Sequence, residues 1–218
     1  MKTKSKSKRL YLLIAAALLL CMAIVGIVIA ENNRKDPQNT ANTEESIMYY
    51  AKMSIENYGD IILELDASTA PITVENFVTL VNEQFYDGLT FHRIISGFMI
   101  QGGDPNGNGT GGSKTNIKGE FSANGVKNDL RHTRGVISMA RSSMPDSASS
   151  QFFIMHQDAP HLDGQYAAFG KVLSGMEVVD AICENVPVTD NNGTVMKENQ
   201  PVISSLRMIT AEEAGITE

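Results

Sequence analysis

The 218 residues suffice for one sizeable domain with extensions. All five charges in the first 30 residues are positive, which leaves 13 Lys and Arg against 25 Asp and Glu in the remainder, a net of −12. So acidic a body argues against a nucleic-acid surface, which demands a basic face. With Cys183 the only cysteine beyond residue 30 it can form no internal disulfide, and its fold must rest on its own core.

Residues 1–9 carry Lys2, Lys4, Lys6, Lys8 and Arg9, and residues 10–30 are an uncharged apolar run. At about 1.5 Å per residue that run crosses a hydrocarbon core of roughly 30 Å. It predicts a single-pass signal-anchor in the cell membrane, with the basic flank cytoplasmic and the rest outside. Two other fates use the same residues: cleavage after Val28-Ile29-Ala30, giving a secreted protein, and lipid attachment at Cys21. The run exceeds the apolar core of about 7–15 residues usual in cleaved peptides, which favours the anchor. Leu20 directly before Cys21, and further membrane-compatible residues after it, argue against the lipid. Residues 31–46 are polar and Asn-rich with Pro37, and read as a flexible tether.

The domain proper is expected over 47–209. Met53 and Ile55, then Ile61, Leu63 and Leu65, alternate with polar neighbours around the turn Asn57-Tyr58-Gly59, predicting a hairpin with one buried face. Pro71 opens a helix whose Val74, Phe77, Val78, Val81 and Phe85 recur at spacings of three and four. Beyond Asp87-Gly88, Phe91–Ile95 and Phe98–Ile100 are two short strands joined by Ser96-Gly97. Arg93 near Phe98 and Met99 is either a polar anchor at the edge of an apolar pocket or a hairpin residue facing water; these residues alone leave both open. Residues 104–120 are a Gly- and Asn-rich loop. Apolar runs at Val136–Ala140, Phe152–Met155, Ala167–Leu173 and Val202–Ile209 predict further strands. Ser174 and Glu177 have the capping-box spacing, and Met176, Val179 and Ile182 give a second short helix a core face. The tail, 210–218, is expected to fray. Many short strands and two helices point to a mainly β fold, a closed or nearly closed antiparallel barrel with helical covers.

Several motifs carry less than they promise. Gly107-Asn108-Gly109-Thr110-Gly111-Gly112 matches a dinucleotide fingerprint literally, but no helical period follows it. His92, His132, His156 and His161 are too scattered for a metal-ligand pattern. Ser, His and Asp are present, but without the G-x-S-x-G elbow of a hydrolase. Asn108-Gly109-Thr110 and Asn192-Gly193-Thr194 are glycosylation sequons, relevant only in a host that modifies exported chains.

One set of residues, taken in order, resembles the cyclophilins, a family of peptidyl-prolyl isomerases. It comprises Phe91-His92-Arg93-Ile94-Ile95, Gly97-Phe98-Met99, Gln101-Gly102-Gly103-Asp104, Gly109-Thr110-Gly111-Gly112, Ser138-Met139-Ala140, Ser150-Gln151-Phe152-Phe153-Ile154, Leu162-Asp163-Gly164 and Phe169-Gly170-Lys171-Val172. The similarity spans about residues 50–209. It implies an eight-stranded closed antiparallel β-barrel capped by two α-helices. By the same resemblance Arg93 is the catalytic arginine, and Phe98, Met99, Phe153 and Leu162 wall the proline pocket. Gln101 would bind substrate backbone and steady Arg93, while Ala140, Arg141, Ser142 and Gln151 would hold the residues preceding proline. Five positions, in four departures, differ from common members: Ser96 replaces a Pro, Arg141-Ser142 replace Asn-Ala, and Tyr166 replaces a His of the pocket. His161, counted with Tyr166 among the implied substrate-binding residues, replaces a Trp that contacts cyclosporin, which argues against tight binding of that drug.

The implied chemistry needs no nucleophile, and neither metal nor cofactor is expected. The predicted activity is peptidyl-prolyl cis–trans isomerisation of unfolded exported proteins by a monomer, with Arg93 stabilising the twisted amide; the alternative is a proline-peptide binding module or chaperone without turnover. His92 is assigned to structure, not to general-base chemistry.

Overall fold

The computed structural model describes residues 46–217. The anchor expected at 10–30, its basic flank at 1–9 and the tether up to residue 45 lie outside the described residues. Among the described residues no helix is long and apolar enough to cross a membrane.

Strands β1 (Met48–Ile55) and β2 (Gly59–Asp66) form the predicted hairpin, paired from Met48↔Asp66 to Ile55↔Gly59. Its alternating Met53, Ile55, Ile61, Leu63 and Leu65 are all buried, because successive side chains of a strand point to opposite faces. Helix α1 (Pro71–Asn82) follows and buries Val74, Phe77, Leu80 and Val81. Its N-cap, Ala70, offers no side-chain bond. The buried carboxylate of Glu120 takes that role across the sequence, accepting from the backbone N–H of Ile72 at 3.1 Å and of Thr73 at 2.8 Å. An anion at a helix N-terminus satisfies free N–H groups and complements the dipole.

The remaining elements are β3 (Thr90–Ile95), β4 (Met99–Asp104), β5 (Val136–Met139), β6 (Phe152–Met155), β7 (Ala168–Ser174), helix α2 (Met176–Asn185) and β8 (Ile203–Ile209). They form one eight-stranded sheet in the order β3-β4-β6-β5-β7-β2-β1-β8, every neighbouring pair antiparallel. The fully closed barrel expected from the sequence is not formed: the sheet is a half-barrel whose end strands, β8 and β3, share no continuous ladder. Instead the backbone bonds Gly88 N–H to Ile203 O, Ile203 N–H to Leu89 O and Phe91 N–H to Pro201 O join the two edges.

Two expectations at element ends fail. Ser174 is the last residue of β7, and α2 starts from Gly175 at φ +95° with no side-chain cap. A Cβ at Gly175 would collide with the Asp60 carbonyl, so close packing sets this start. The reciprocal capping bonds occur in the tail instead. Thr210 N–H donates to the Glu213 carboxylate at 2.8 Å and Glu213 N–H to the Thr210 hydroxyl at 3.2 Å, so this stretch is turned, not frayed.

The main core lies between the sheet and the helices, with Phe77 at its centre. The Phe77 ring lies 5.2 Å from Tyr86, 5.8 Å from Phe152 and 5.2 Å from Phe169. A smaller apolar cluster of Met99, Phe153, Met155, Leu162 and Ala168 sits on the opposite face of β4 and β6. Strand alternation divides the two: Phe152 and Ile154 face the core, Phe153 and Met155 the second cluster. We expect Phe77→Ala to lower the unfolding free energy by about 3–5 kcal/mol in urea titrations. A loss under about 1 kcal/mol would mean that the ring cluster does not organise the core.

Candidate active site

The site is built on the second cluster, and a bulge puts the half-buried cation of Arg93 there. Along β3 and β4 the partners run Phe91↔Gly102 and then Arg93↔Gln101, so two residues of β3 advance against one of β4. His92 is the extra residue, and such a bulge reverses the side-chain phase beyond it. Phe91 and Ile94 therefore both face the core, while Arg93 turns outward beside Gln101, its cross-strand partner. Met99 and Gln101 of β4 and Phe153 of β6 share that outer face through ordinary alternation.

Arg93, Phe98, Met99, Gln101, Ala140, Arg141, Phe153, Leu162 and Tyr166 line one cavity of about 250 Å³. A second cavity of about 350 Å³ adjoins it, sharing Gln101, Ala140 and Arg141 and adding Ser142 and Gln151 to glycines 109, 111 and 112. The fold thus gathers every site residue predicted from sequence except His161. That residue is exposed on the turn Pro160–Leu162 and stacks on Phe98 at 5.7 Å from outside the cavity.

A chain of amides orients the cation. Gln151 Nε2 donates to the Gly111 carbonyl at 2.7 Å and the Gly109 carbonyl at 3.2 Å, which turns its oxygen toward Gln101 Nε2 at 3.0 Å. Gln101 Oε1 is thereby left to accept from Arg93 at 3.3 Å. The other Arg93 bonds run to Asn192: Nε to the main-chain oxygen at 2.8 Å and a terminal nitrogen to Oδ1 at 3.1 Å. A guanidinium has five N–H donors, so part of its hydrogen-bonding capacity remains for a ligand. Burial lowers the Arg93 pKa from its ordinary value, an effect that nearby Tyr166 and Asp190 oppose.

Arg141 is wall material. Its guanidinium lies over Phe121 at 5.0 Å and over Tyr166 at 4.7 Å, and donates to the carbonyls of Gln165 and Ser142. Tyr166 meets Phe153 edge-on at 5.8 Å, closing the apolar recess.

Beneath the recess a serine, a histidine and an aspartate do come together. Asp163 lies 3.1 Å from His132 Nδ1, and His132 Nε2 lies 3.0 Å from Ser138 Oγ. Ser138 and His132 are 0% and 1% exposed, under the ring of Phe153, so no acyl substrate reaches the hydroxyl. The chain is a buried support, not a hydrolytic triad. His92 is buried as well and does not line the recess. Its two ring nitrogens have no hydrogen-bond partner among the described residues, and burial lowers its pKa.

Sequence reading missed Asn192 and Asp190. The signal available was Asn192-Gly193-Thr194, which drew notice as a glycosylation sequon.

A family model described as cyclophilin type peptidyl-prolyl cis-trans isomerase/CLD matches residues 50–208. The chain belongs to that family. Among similar proteins, a peptidyl-prolyl cis-trans isomerase of Helicobacter pylori is 49% identical over 142 residues, 64% of this chain and 84% of that protein. Peptidyl-prolyl cis-trans isomerase B of Bacillus subtilis is 47% identical over 144 residues, 66% of this chain and 92% of that protein. A cyclophilin type peptidyl-prolyl cis-trans isomerase of Cryptosporidium parvum, crystallised in the presence of the dipeptide Ala-Pro, superposes with a TM-score of 0.65 at 33% identity. It covers 74% of this chain and 99% of that one.

The buried imidazoles of this cyclophilin set a pH dependence. Burial lowers the pKa of His132 in the fold, against the opposing pull of Asp163. Above about pH 6.5 the imidazole is neutral folded or unfolded, and its contribution is whole. Below that, the unfolded chain binds a proton that the folded chain resists, so stability falls until the lowered folded pKa is passed. Urea midpoints should therefore drop between about pH 7 and about pH 5, and His132→Asn should flatten the slope, leaving the part due to His92. An unchanged slope would remove His132 as a source.

Proposed function

We propose that this chain accelerates cis–trans rotation about X–Pro peptide bonds, with the proline ring in the recess of Phe98, Met99, Phe153, Leu162 and Tyr166. The reading is carried by one observation: Arg93 is tethered on two sides, keeps free N–H donors and borders an apolar cavity of about 250 Å³. Family membership supports it, as does the structural neighbour studied with Ala-Pro.

Rotation about an X–Pro bond meets a barrier of about 18–20 kcal/mol because twisting breaks amide resonance. At the twisted geometry the nitrogen recovers its lone pair and becomes an acceptor. An N–H of Arg93 aimed at it binds the twisted state more strongly than the planar one, which is what accelerates the step. Low polarity around the recess strengthens that bond, and an oriented donor pays little reorganisation. The apolar walls hold the ring while the preceding carbonyl swings. Gln101 holds the substrate backbone, and the neighbouring cavity of Ala140, Arg141, Ser142 and Gln151 takes the residues before proline. No covalent bond is made or broken, so a sealed Ser138–His132 pair and a neutral His92 fit the reaction.

With full-length protein, exchange of an Ala-Pro peptide should quicken measurably by exchange spectroscopy. Arg93→Ala should slow the catalysed rate by on the order of 100-fold, the scale of losing one charge-stabilising donor, while the domain stays folded. Binding of the peptide with no change in its exchange rate would make the protein a binding module instead.

We further propose that the domain works outside the membrane on exported chains, tethered by residues 10–30. Support comes from the sequence alone: five basic residues and then an uncharged apolar run. Protein extracted from membranes should retain its N-terminus; a chain beginning near Glu31 would indicate secretion.

A further inference from the structure

We propose that the turn 190–194, acting through Asn192, is the element that sets where Arg93 points. This rests on Arg93 being the group that acts on the X–Pro amide. An arginine side chain has about 2 kcal/mol of rotamer entropy, so its position has to be imposed by partners. Gln101 supplies one bond, and it is the longest, at 3.3 Å. Asn192 supplies two, its main-chain and side-chain oxygens gripping Nε at 2.8 Å and a terminal nitrogen at 3.1 Å. A two-point grip on a planar fork fixes its plane as well as its location.

The turn is itself rigidly mounted. Asp190 Oδ1 accepts from the N–H of Asn192 at 2.9 Å and of Thr194 at 3.1 Å, and the Asp190 carbonyl accepts from Gly193 N–H at 3.1 Å. The turn then docks on the strand that carries Arg93: Ile94 N–H donates to Gly193 O at 2.8 Å, and Val195 N–H to His92 O at 3.0 Å. Gly193 has φ +79°, and a Cβ there would collide with the Ile94 carbonyl, so this approach requires glycine. The bonds from Ile94 and to His92 flank Arg93 itself, so the turn, the bulge and the guanidinium move as one unit. Asn192 is a positioning residue: it touches the arginine from behind and does not line the recess. Its acceptors are neutral, which holds the cation without neutralising it. A carboxylate in the same place would pair with Arg93 and weaken its donation to an amide nitrogen.

The test is a double-mutant cycle in the full-length chain, using exchange spectroscopy on an Ala-Pro peptide. Asn192→Ala should lower kcat/KM by about tenfold, the scale of a hydrogen bond to a charged group, with the loss in kcat and KM changed less than about twofold. In an Arg93→Ala background the same substitution should change the residual rate less than about twofold, since its effect runs through the arginine. Nuclear magnetic relaxation of the Arg93 terminal N–H groups should also show a more mobile fork in folded Asn192→Ala protein, because the side-chain bond to a terminal nitrogen is lost while the main-chain bond to Nε is kept. Should that variant not fold, Asp190→Ala, which releases the two backbone N–H groups held by the Asp190 carboxylate, enters the same cycle. A wild-type rate for Asn192→Ala, beside a strong loss for Arg93→Ala, overturns this inference alone. Equal losses in both backgrounds also overturn it, as the effect would then bypass Arg93. A wild-type rate for Arg93→Ala overturns the proposed role of the arginine and this inference with it.

Discussion

The arrangement of the site depends on a single extra residue in one strand. Without His92 as a bulge, Arg93 would share the inward phase of Phe91, and a guanidinium would be driven into a core packed with phenylalanine rings. Burying an unpaired cation there costs several kcal/mol at least, so the phase change is a condition for folding as much as for function. A second irregularity, between Thr90 and Phe91, accompanies it on the β4 side. Gly102, opposite Phe91, has no room for a Cβ between that ring and the Thr90 carbonyl. His92 thus has a clear task that needs no titration: it absorbs the phase shift and is buried in consequence.

Around that point the protein keeps its charges few and its amides directional. The polar path from the Gly109 and Gly111 carbonyls through Gln151 and Gln101 to Arg93 contains no carboxylate. Each amide is oriented by the one before it, since an amide has distinct donor and acceptor ends. The cation therefore keeps its full charge beside an apolar recess, where water competes least. Ion pairs lie elsewhere, at the surface, as in Lys52–Asp60 and Arg207–Asp87, and contribute little each.

Much of this was legible in the residues. Alternation of Met53, Ile55, Ile61, Leu63 and Leu65 marks a half-buried hairpin, because one face meets the core and the other water. The three-and-four spacing from Val74 to Val81 marks a helix for the same reason at a different period. Failures came where a distant group decided the outcome. Glu120 caps a helix 47 residues earlier in the chain, and Gly175 opens the second helix because its backbone must pass against Asp60. The capping-box spacing at Ser174 and Glu177 satisfied a local rule that the β7 ladder overrode, while Thr210 and Glu213, free of such a ladder, obeyed it.

The sequence by itself determined the class of the fold, the two apolar faces and the order of the motifs that carry the family resemblance, since each depends on residues near one another in the chain. It also determined that Arg93, Phe98, Met99, Gln101, Phe153 and Leu162 belong together as a set, through that resemblance. Only the tertiary structure decided which way Arg93 faces, that His161 stays outside the recess, that the Ser138 and His132 of a Ser-His-Asp group are sealed beneath it, and that Asn192 grips the arginine from 99 residues away. The physical reason is common to all four. Side-chain direction follows from strand phase, and phase is set by bulges and cross-strand bonds between distant segments, which leave no periodic signature in the residues themselves.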